Sequence, residues 1–527
     1  MRRVMLAAVF AGACVCGPAA TGQIQDPFAS RAVPSPANSL DEIVFARLSA
    51  LGLRPSSLCS DAVFIRRAFL DVIGTLPTAD EARSFLEDRD PAKRRALVDR
   101  LLERPEFADY WAMKWADTLR VKSEFPINLW PNAVQAYHRW IRASLRDNLP
   151  FDEFARALLT SSGSNFREPP VNFYRAVQAR DPQSLAAAVA LTFMGSRVES
   201  WPAERLADLS VFFSRVGYKA TGEWKEEIVF FDPERPLPGA APGSPRSGRF
   251  PDGTATSLAP DRDPRVVFAD WLVRPGNPWF ARAAANRVWY WLMGRGVVHE
   301  PDDFRADNPP SSPELLAELG RAFVESRYDM KALMRMILNS TTYQLSPVPA
   351  GAGGVSEANF AHAIVRPLDA EVLIDALNQI TGGTEQYSSP IPEPFTFVPP
   401  GVRSTALADG SITSAFLETF GRPSRDTGLA SERSDRPSAS QRLYLLNSAE
   451  VQRKIQQGPA VQALLQRGGD GRALLDLLYL TILSRHPTEA EMAAVQQYTQ
   501  ATEPNRRALV QDLVWALINT VEFRYRH

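Results

Sequence analysis

Cysteine is nearly absent from this chain, with 3 copies in 527 residues. That excludes a small disulfide-stapled scaffold and a zinc site built from four thiolates. Histidine is almost as scarce: His138, His299, His362, His486 and His527 are dispersed, and none stands at metal-ligand spacing to another. An excess of either charge is missing too, since 59 Lys+Arg face 60 Asp+Glu. A nucleic-acid scaffold shows a basic excess and a membrane-surface protein a polybasic patch, so neither partner is expected. No run beyond the first residues reaches about 18 uncharged apolar positions, so no transmembrane segment is expected. Catalytic signatures are lacking as well: there is no G-x-S-x-G elbow, Walker loop, EF-hand loop or H-E-x-x-H. His299-Glu300 begins like the last of these, but Asp303 occupies the place of the second His. No metal and no cofactor is expected.

What the chain does have is an apolar share of 45%, enough for a sizeable core. At about 150 residues per domain, its length fits two large domains or three ordinary ones. Arg2 and Arg3 precede an apolar stretch, Val4 to Cys16, which Gly17 and Pro18 break before small residues follow. This is the layout of a signal peptide, too short for a permanent membrane helix, with cleavage expected near Gly22. Export to the periplasm or cell surface follows. Removing residues 1–22 deletes two Arg and no acid, shifting the net charge from −1 to −3. The sequence Ala11-Gly12-Ala13-Cys14 loosely matches a lipobox, so lipoprotein anchoring through Cys14 is the alternative. Cys59 is then the lone remaining thiol and reads as a small buried hydrophobe.

Residues 23–39 are polar and Pro-rich, a flexible lead-in, and from Leu40 helical patterning is almost continuous. Asp90-Pro91, Asp181-Pro182, Asn277-Pro278 and Ser312-Pro313 are helix-start signals, a capping side chain followed by proline. Gly195 and Gly294 are the matching stops. Trp111 and Trp115 lie four apart on one helix face, the spacing of a core stripe. Strand signals are few, with Glu227 to Phe231 the best. The stretch 232–262 mixes Pro, Gly, Ser and Arg and reads as a linker, and Gly382 to Gly410 is irregular because its prolines forbid a helix. Pro77-Thr78-x-x-Glu81 and Pro487-Thr488-x-x-Glu491 echo each other, both capping boxes behind a tight turn. The fold class predicted is mainly α with very little strand: a helical domain over 40–231, the linker 232–262, and a second helical domain over 263–527.

Two clusters carry chemistry. Glu300, Asp302, Asp303, Asp307 and Asn308 gather hard oxygens that suit calcium or an acid/base carboxylate pair, the plainer reading being a solvated turn between helices. Arg422, Arg425, Arg433, Arg436 and Arg442, interleaved with serines, offer guanidinium forks for a carboxylate or a sulfated sugar. The plainer reading is a polar loop whose arginines pair with acids on packed helices.

Phe64-Ile65-Arg66-Arg67-Ala68-Phe69-Leu70-Asp71-Val72-Ile73-Gly74, Leu76-Pro77-Thr78, Trp111, Trp115-Ala116-Asp117, Trp140-Ile141-Arg142 and Asn148-Leu149-Pro150-Phe151-Asp152 resemble the domain of unknown function numbered 1549. Asn277-Pro278, Asn286-Arg287-Val288-Trp289, Asp302-Asp303-Phe304, Pro313-Glu314-Leu315-Leu316 and Ser340 to Ser346 resemble its usual companion, numbered 1553. Arg366, Ala370-Glu371, Asp375-Ala376, Leu446-Asn447 and Asn519 to Phe523 extend the second resemblance. It implies an exported protein of the kind abundant in planctomycetes, with no catalytic residues to carry over. Many such proteins hold a C-x-x-C-H-type segment where this chain runs Phe193 to Trp201 without the cysteines or histidine, so c-type haem cannot attach there.

Three functions compete on this reading. One is a non-catalytic binding or scaffold component of the cell envelope, with an envelope protein or a polysaccharide as partner. Another is a hydrolase or lyase centred on Asp302 and Asp303. The third is a degenerate relative of a redox family that no longer binds haem. Asn286 and Arg287, on a helix whose other face is apolar, join Arg422, Arg425 and Arg433 as candidate binding residues.

Overall fold

The computed structural model describes residues 27–30, 32–239, 244–351, 354–434, 436–466 and 470–527. The leader, its cleavage site and Cys14 lie outside them. The chain is mainly α. Helices that organise it are Asp61–Val72 (α1), Ala79–Glu87 (α2), Pro105–Thr118 (α3), Pro131–Arg146 (α4), Pro182–Met194 (α5), Phe280–Met293 (α6), Ala370–Thr381 (α7), Gly471–Leu483 (α8) and Glu489–Thr502 (α9). No helix among the described residues is long and apolar enough to cross a membrane.

The local signals act largely as the side-chain chemistry dictates. Asp181 caps α5 by accepting the Gln183 and Ser184 N–H groups, and Gly195 ends it in the left-handed conformation. Ser312 caps the helix Pro313–Glu325, and Asn277 accepts from the Trp279 and Phe280 N–H groups at the start of α6. Asp90 differs: its carboxylate takes the Ala92 N–H at 2.8 Å inside a turn, so the helix begins at Lys93. Both echoed capping boxes form, Thr78 with Glu81 and Thr488 with Glu491. The two helix pairs they belong to meet, with α2 lying against α8.

Strands are short. Glu227–Phe231 (β3) is the centre of a three-stranded antiparallel sheet between Gly163–Ser164 (β1) and Val216–Ala220 (β2), Val229 facing Gly163 and Tyr218. The stretch predicted as a linker is packed in its described part. Arg246–Arg249 (β4) and Ala255–Leu258 (β5) form a hairpin, closed where Asp252 accepts the Thr254 N–H. Phe250 at its tip stacks on Phe212 and on Trp271, both at 5.0 Å. The lead-in is held as well, since Ser30 N–H donates to Leu58 O and Ala29 bridges Cys59, which is itself buried.

The two helical halves interlock through one core. Trp111 and Trp115 are each 1% exposed and meet Trp291 of α6 edge-on at 5.6 and 5.4 Å. A fully buried indole removes about 150–250 Å² from water, so at ~25 cal/mol/Å² each contributes roughly 4–6 kcal/mol before entropy is counted. Arg66 of α1 reaches across to the carbonyls of Ile482 and Phe523, both at 2.8 Å. The chain's last strand, Tyr525–Arg526 (β7), pairs with Arg366–Pro367 (β6).

Candidate functional site

Of the charges that the sequence singles out, Arg287, Asp302, Arg422, Arg425 and Arg433 gather in or against the loop Gly421–Ser434. Arg287 and Asp302 are each 1% exposed and paired at 2.7 Å. Arg287 also donates to the carbonyls of Thr192 and Leu191, closing α6 onto the end of α5. The second oxygen of Asp302 accepts the Ala430 N–H at 2.6 Å, so the acidic turn grips the arginine-rich loop. Asp303 does not share this environment; it faces Arg305 at 3.2 Å, and Arg305 also approaches Asp307. Asn286 is wholly buried and clamps the backbone of Val298 with both ends of its amide.

Arg425 is fully buried, donating to Asp117 at 2.9 Å and to the Ala408 carbonyl. Arg433 bridges Asp117 and Glu371, both at 2.7 Å, with Asp369 at 3.5 Å. Arg422 lies 3.4 Å from Glu371 and donates to the carbonyls of Ile412 and Asp409. Arg436 and Arg442 stay exposed. The network continues inward: Asp369 accepts from Lys114 at 2.9 Å and from Arg526 at 2.6 Å, and Asp71 from Arg526 and Arg366. Burial alone raises the Asp369 carboxyl, but Lys114, Arg526 and Arg433 outweigh it and hold the group well below the usual carboxylate range. Burial, aided by Arg433 and Arg526, depresses the Lys114 ammonium to about 8 against the pull of Asp369. Burial likewise lowers Arg422, to about 10, with Arg425 beside it.

Such a network leaves its members little capacity to meet a ligand. Open space lies beside it, in a cleft of about 340 Å³ lined by many polar side chains. One wall is the turn from α1 into α2 and the start of α3, with Thr75, Glu81, Arg104 and Glu106; the other is α7 and the segments after it, with Asp375, Asn378, Glu385 and Arg403. Arg104 joins Glu81 and Glu106, each at 2.7 Å. Asp375 is buried and accepts the N–H groups of Ser404 and Thr405 and the Thr405 hydroxyl, which fixes the wall bearing Arg403. Burial raises its pKa despite those donors. Arg403 binds Asp109 at 2.9 Å through Nη2, while its buried Nη1 has no hydrogen-bond partner among the described residues. Burial also raises the Glu385 carboxyl, against Lys454 at 3.2 Å and helped by Glu450. Leu76 and Val402 are the large apolar side chains of the lining. Hydroxyls, amides and alternating charges suit a polyhydroxylated ligand better than an apolar one.

Sequence reasoning misses the cleft. Asp375 carries a signal, an acid among the apolar positions of an amphipathic helix. Glu385 and Arg403 sit in the proline-rich irregular stretch, where no periodicity marks a side chain as inward-facing.

Two family models match separate parts of the chain. Residues 39–200 match the family described as a protein of unknown function (DUF1549), and residues 264–499 the one described as a protein of unknown function (DUF1553). No curated protein and no solved structure matches the chain. Both the buried network and the cleft draw residues from each matched region, so neither region builds them alone. The chain belongs to the proteins that combine a DUF1549 domain with a DUF1553 domain.

Proposed function

We propose that this protein is an exported, non-catalytic binding component of the cell envelope, and that the cleft between the two matched regions takes a polyhydroxylated ligand such as a sugar unit. The observation that carries the reading is the division of labour among charges. Arg287 and Asp302 hold each other, while Arg422, Arg425 and Arg433 are taken up by Asp117, Glu371 and backbone carbonyls, which rigidifies the interior. The cleft keeps hydrogen-bonding side chains along both walls, among them Thr75, Asn378, Gln379 and Arg403. The leader supports export. Isothermal titration of residues 23–527 with cellobiose and with glucuronate tests the cleft. Binding of either sugar, weakened at least tenfold in Arg403→Ala, supports the reading; no heat from either sinks it.

A carboxylate-dependent hydrolase or lyase is the second reading, and one observation favours it. Glu385 lines the cleft and is raised by burial, the environment of a general acid, whereas the oxygens of Asp375 beside it are taken by Ser404 and Thr405. Asp302 suits that role less, since Arg287 and the Ala430 N–H occupy its oxygens. Release of reducing sugar from oligosaccharides, abolished by Glu385→Gln, is the result that replaces the binding reading with this one.

A further inference from the structure

Away from the cleft, aromatic side chains gather at the surface from three separate loops. Trp224, in the turn between β2 and β3, is 71% exposed. It meets Trp130 edge-on at 6.3 Å, and Trp130 meets Phe395 at 5.5 Å. Lys225 Nζ stands 5.3 Å from the centre of each indole, bracing both. Phe125 lies in the loop that Trp130 closes by donating its N–H to Ser123 O, and it is 68% exposed. Phe397, two residues beyond Phe395, is 59% exposed.

This arrangement costs the fold stability. Trp130 has φ +72° and ψ 147°, a region that is ordinarily glycine's and costs a bulky residue on the order of 1–3 kcal/mol. It also occupies the N-cap position of α4 without making a capping bond. A Ser or Asp there typically stabilises a helix by about 1 kcal/mol. An indole held in place against two local preferences points to use.

The chemistry narrows the occupant. The exposed large hydrophobics of these loops, Phe125, Trp224, Phe395 and Phe397, are all aromatic, with no exposed Leu, Ile or Val among them. Glu223 and Glu393 are exposed beside them, balanced by exposed Lys225 and by Arg167, which pairs with Glu223 at 3.0 Å. A rim without net charge gives no pull toward an anionic bilayer or a charged polymer. Aromatic faces stack against the C–H faces of sugar rings, through dispersion and the negative ring quadrupole, while flanking carboxylates accept the hydroxyls. Phe397 precedes Gly401 of the cleft wall by four residues, at most about 14 Å of extended chain.

We propose that Trp224, Trp130 and Phe395, flanked by Phe125 and Phe397, form a stacking surface for the sugar rings of an extended neutral polysaccharide. The proposal rests on the reading of the protein as a glycan-binding component and names a polymer as its target. The test is co-sedimentation of residues 23–527 with microcrystalline cellulose, chitin and curdlan, comparing wild type with Trp224→Ala/Phe397→Ala. Retention on at least one polymer, reduced tenfold or more in the double variant with melting temperature and circular dichroism unchanged, is expected. Wild-type retention on none of the three overturns the proposal, as does equal retention of the variant. Wild-type binding to phosphatidylglycerol vesicles that the variant loses overturns it in favour of a membrane contact. Cellobiose titration separates this surface from the cleft: the double variant retains that binding and Arg403→Ala loses it. Failure of the titration alone counts against the cleft, and polymer retention still decides for or against the aromatic surface.

Discussion

Replacing Asp302 with Ala isolates the most deeply buried link between the acidic turn and the arginine-rich loop. At 2.7 Å and an effective dielectric of about 20, the pair's Coulomb attraction is roughly 6 kcal/mol, offset by several kcal/mol of desolvation. Removing one partner leaves Arg287 charged in the interior, a change that typically costs about 3–5 kcal/mol. Its remaining bonds to the Thr192 and Leu191 carbonyls keep the loss toward the lower end. The Ala430 N–H loses a charged acceptor as well, worth about 1.5–3 kcal/mol, which pulls the total back to about 4 kcal/mol. With an unfolding entropy of about 2.1 cal/mol/K per residue, a cooperative melt of this chain drops by about 4 °C. Differential scanning calorimetry reads that shift. The control is Arg287→Met/Asp302→Ala, which removes the stranded charge and recovers part of the loss, the share owed to Ala430 N–H remaining. A drop under about 1 °C for the single variant refutes the assignment. So does a double variant no more stable than the single.

Lys114 supplies a pH signature. Its folded pKa of about 8 lies below the ordinary lysine value of 10.5, so the unfolded chain binds the extra proton between those values and stability rises with pH across that window. Denaturant midpoints from pH 7.5 to 9.5 rise less in Lys114→Met than in wild type; identical slopes contradict the assignment. Asp369 has the opposite sign. Its folded pKa lies below the unfolded one, so its contribution is present at neutral pH and is lost as acid protonates it, well below the usual carboxylate range. Asp369→Asn therefore flattens the acid side of the stability curve below the ordinary carboxylate value, measured by melting temperature from pH 5 to 2. Gly428 has φ +76°, and a Cβ there meets Thr118 O at 2.7 Å. Gly428→Ala is expected to cost about 2 kcal/mol and to speed limited proteolysis within Gly421–Ser434. Trp291→Ala opens the indole cluster and is expected to cost about 3–5 kcal/mol, read by chemical denaturation.

Local chemistry makes much of the fold legible. Capping residues, first-turn prolines and terminal glycines act over four residues, so Asp181, Ser312 and Gly195 state their roles in the text itself. Trp111 and Trp115 declare a core stripe by spacing alone, but Trp291, which completes their cluster, stands far away in sequence. Asp302 and the arginines are visible as charge clusters; that they meet is not, because Ala430 contributes a backbone N–H that no side-chain pattern reveals. The segment 232–262 shows the same limit. Its prolines and glycines read as a linker, yet Phe250 finds Phe212 and Trp271 on opposite sides.

The buried network also explains why its loop is an unpromising place for a ligand. Its cations, Lys114, Arg366, Arg422, Arg425, Arg433 and Arg526, outnumber its acids, Asp71, Asp117, Asp369 and Glu371. By charge alone, such an excess calls for an anion from solvent. The structure meets much of that demand from within, as Arg422 takes the carbonyls of Ile412 and Asp409, Arg425 that of Ala408, and Arg366 those of Trp291 and Leu292, while Arg422 Nε, Arg425 Nη2 and Arg526 Nε have no hydrogen-bond partner among the described residues. Carbonyl dipoles solvate each guanidinium at fixed positions, and the remaining strain falls on Lys114, whose ammonium is depressed to about 8. Breaking those carbonyl contacts to admit an anion means opening helix ends and the Gly421–Ser434 loop together. The network instead ties the two matched regions together, and the recognition we propose is confined to the cleft and the aromatic surface, outside it.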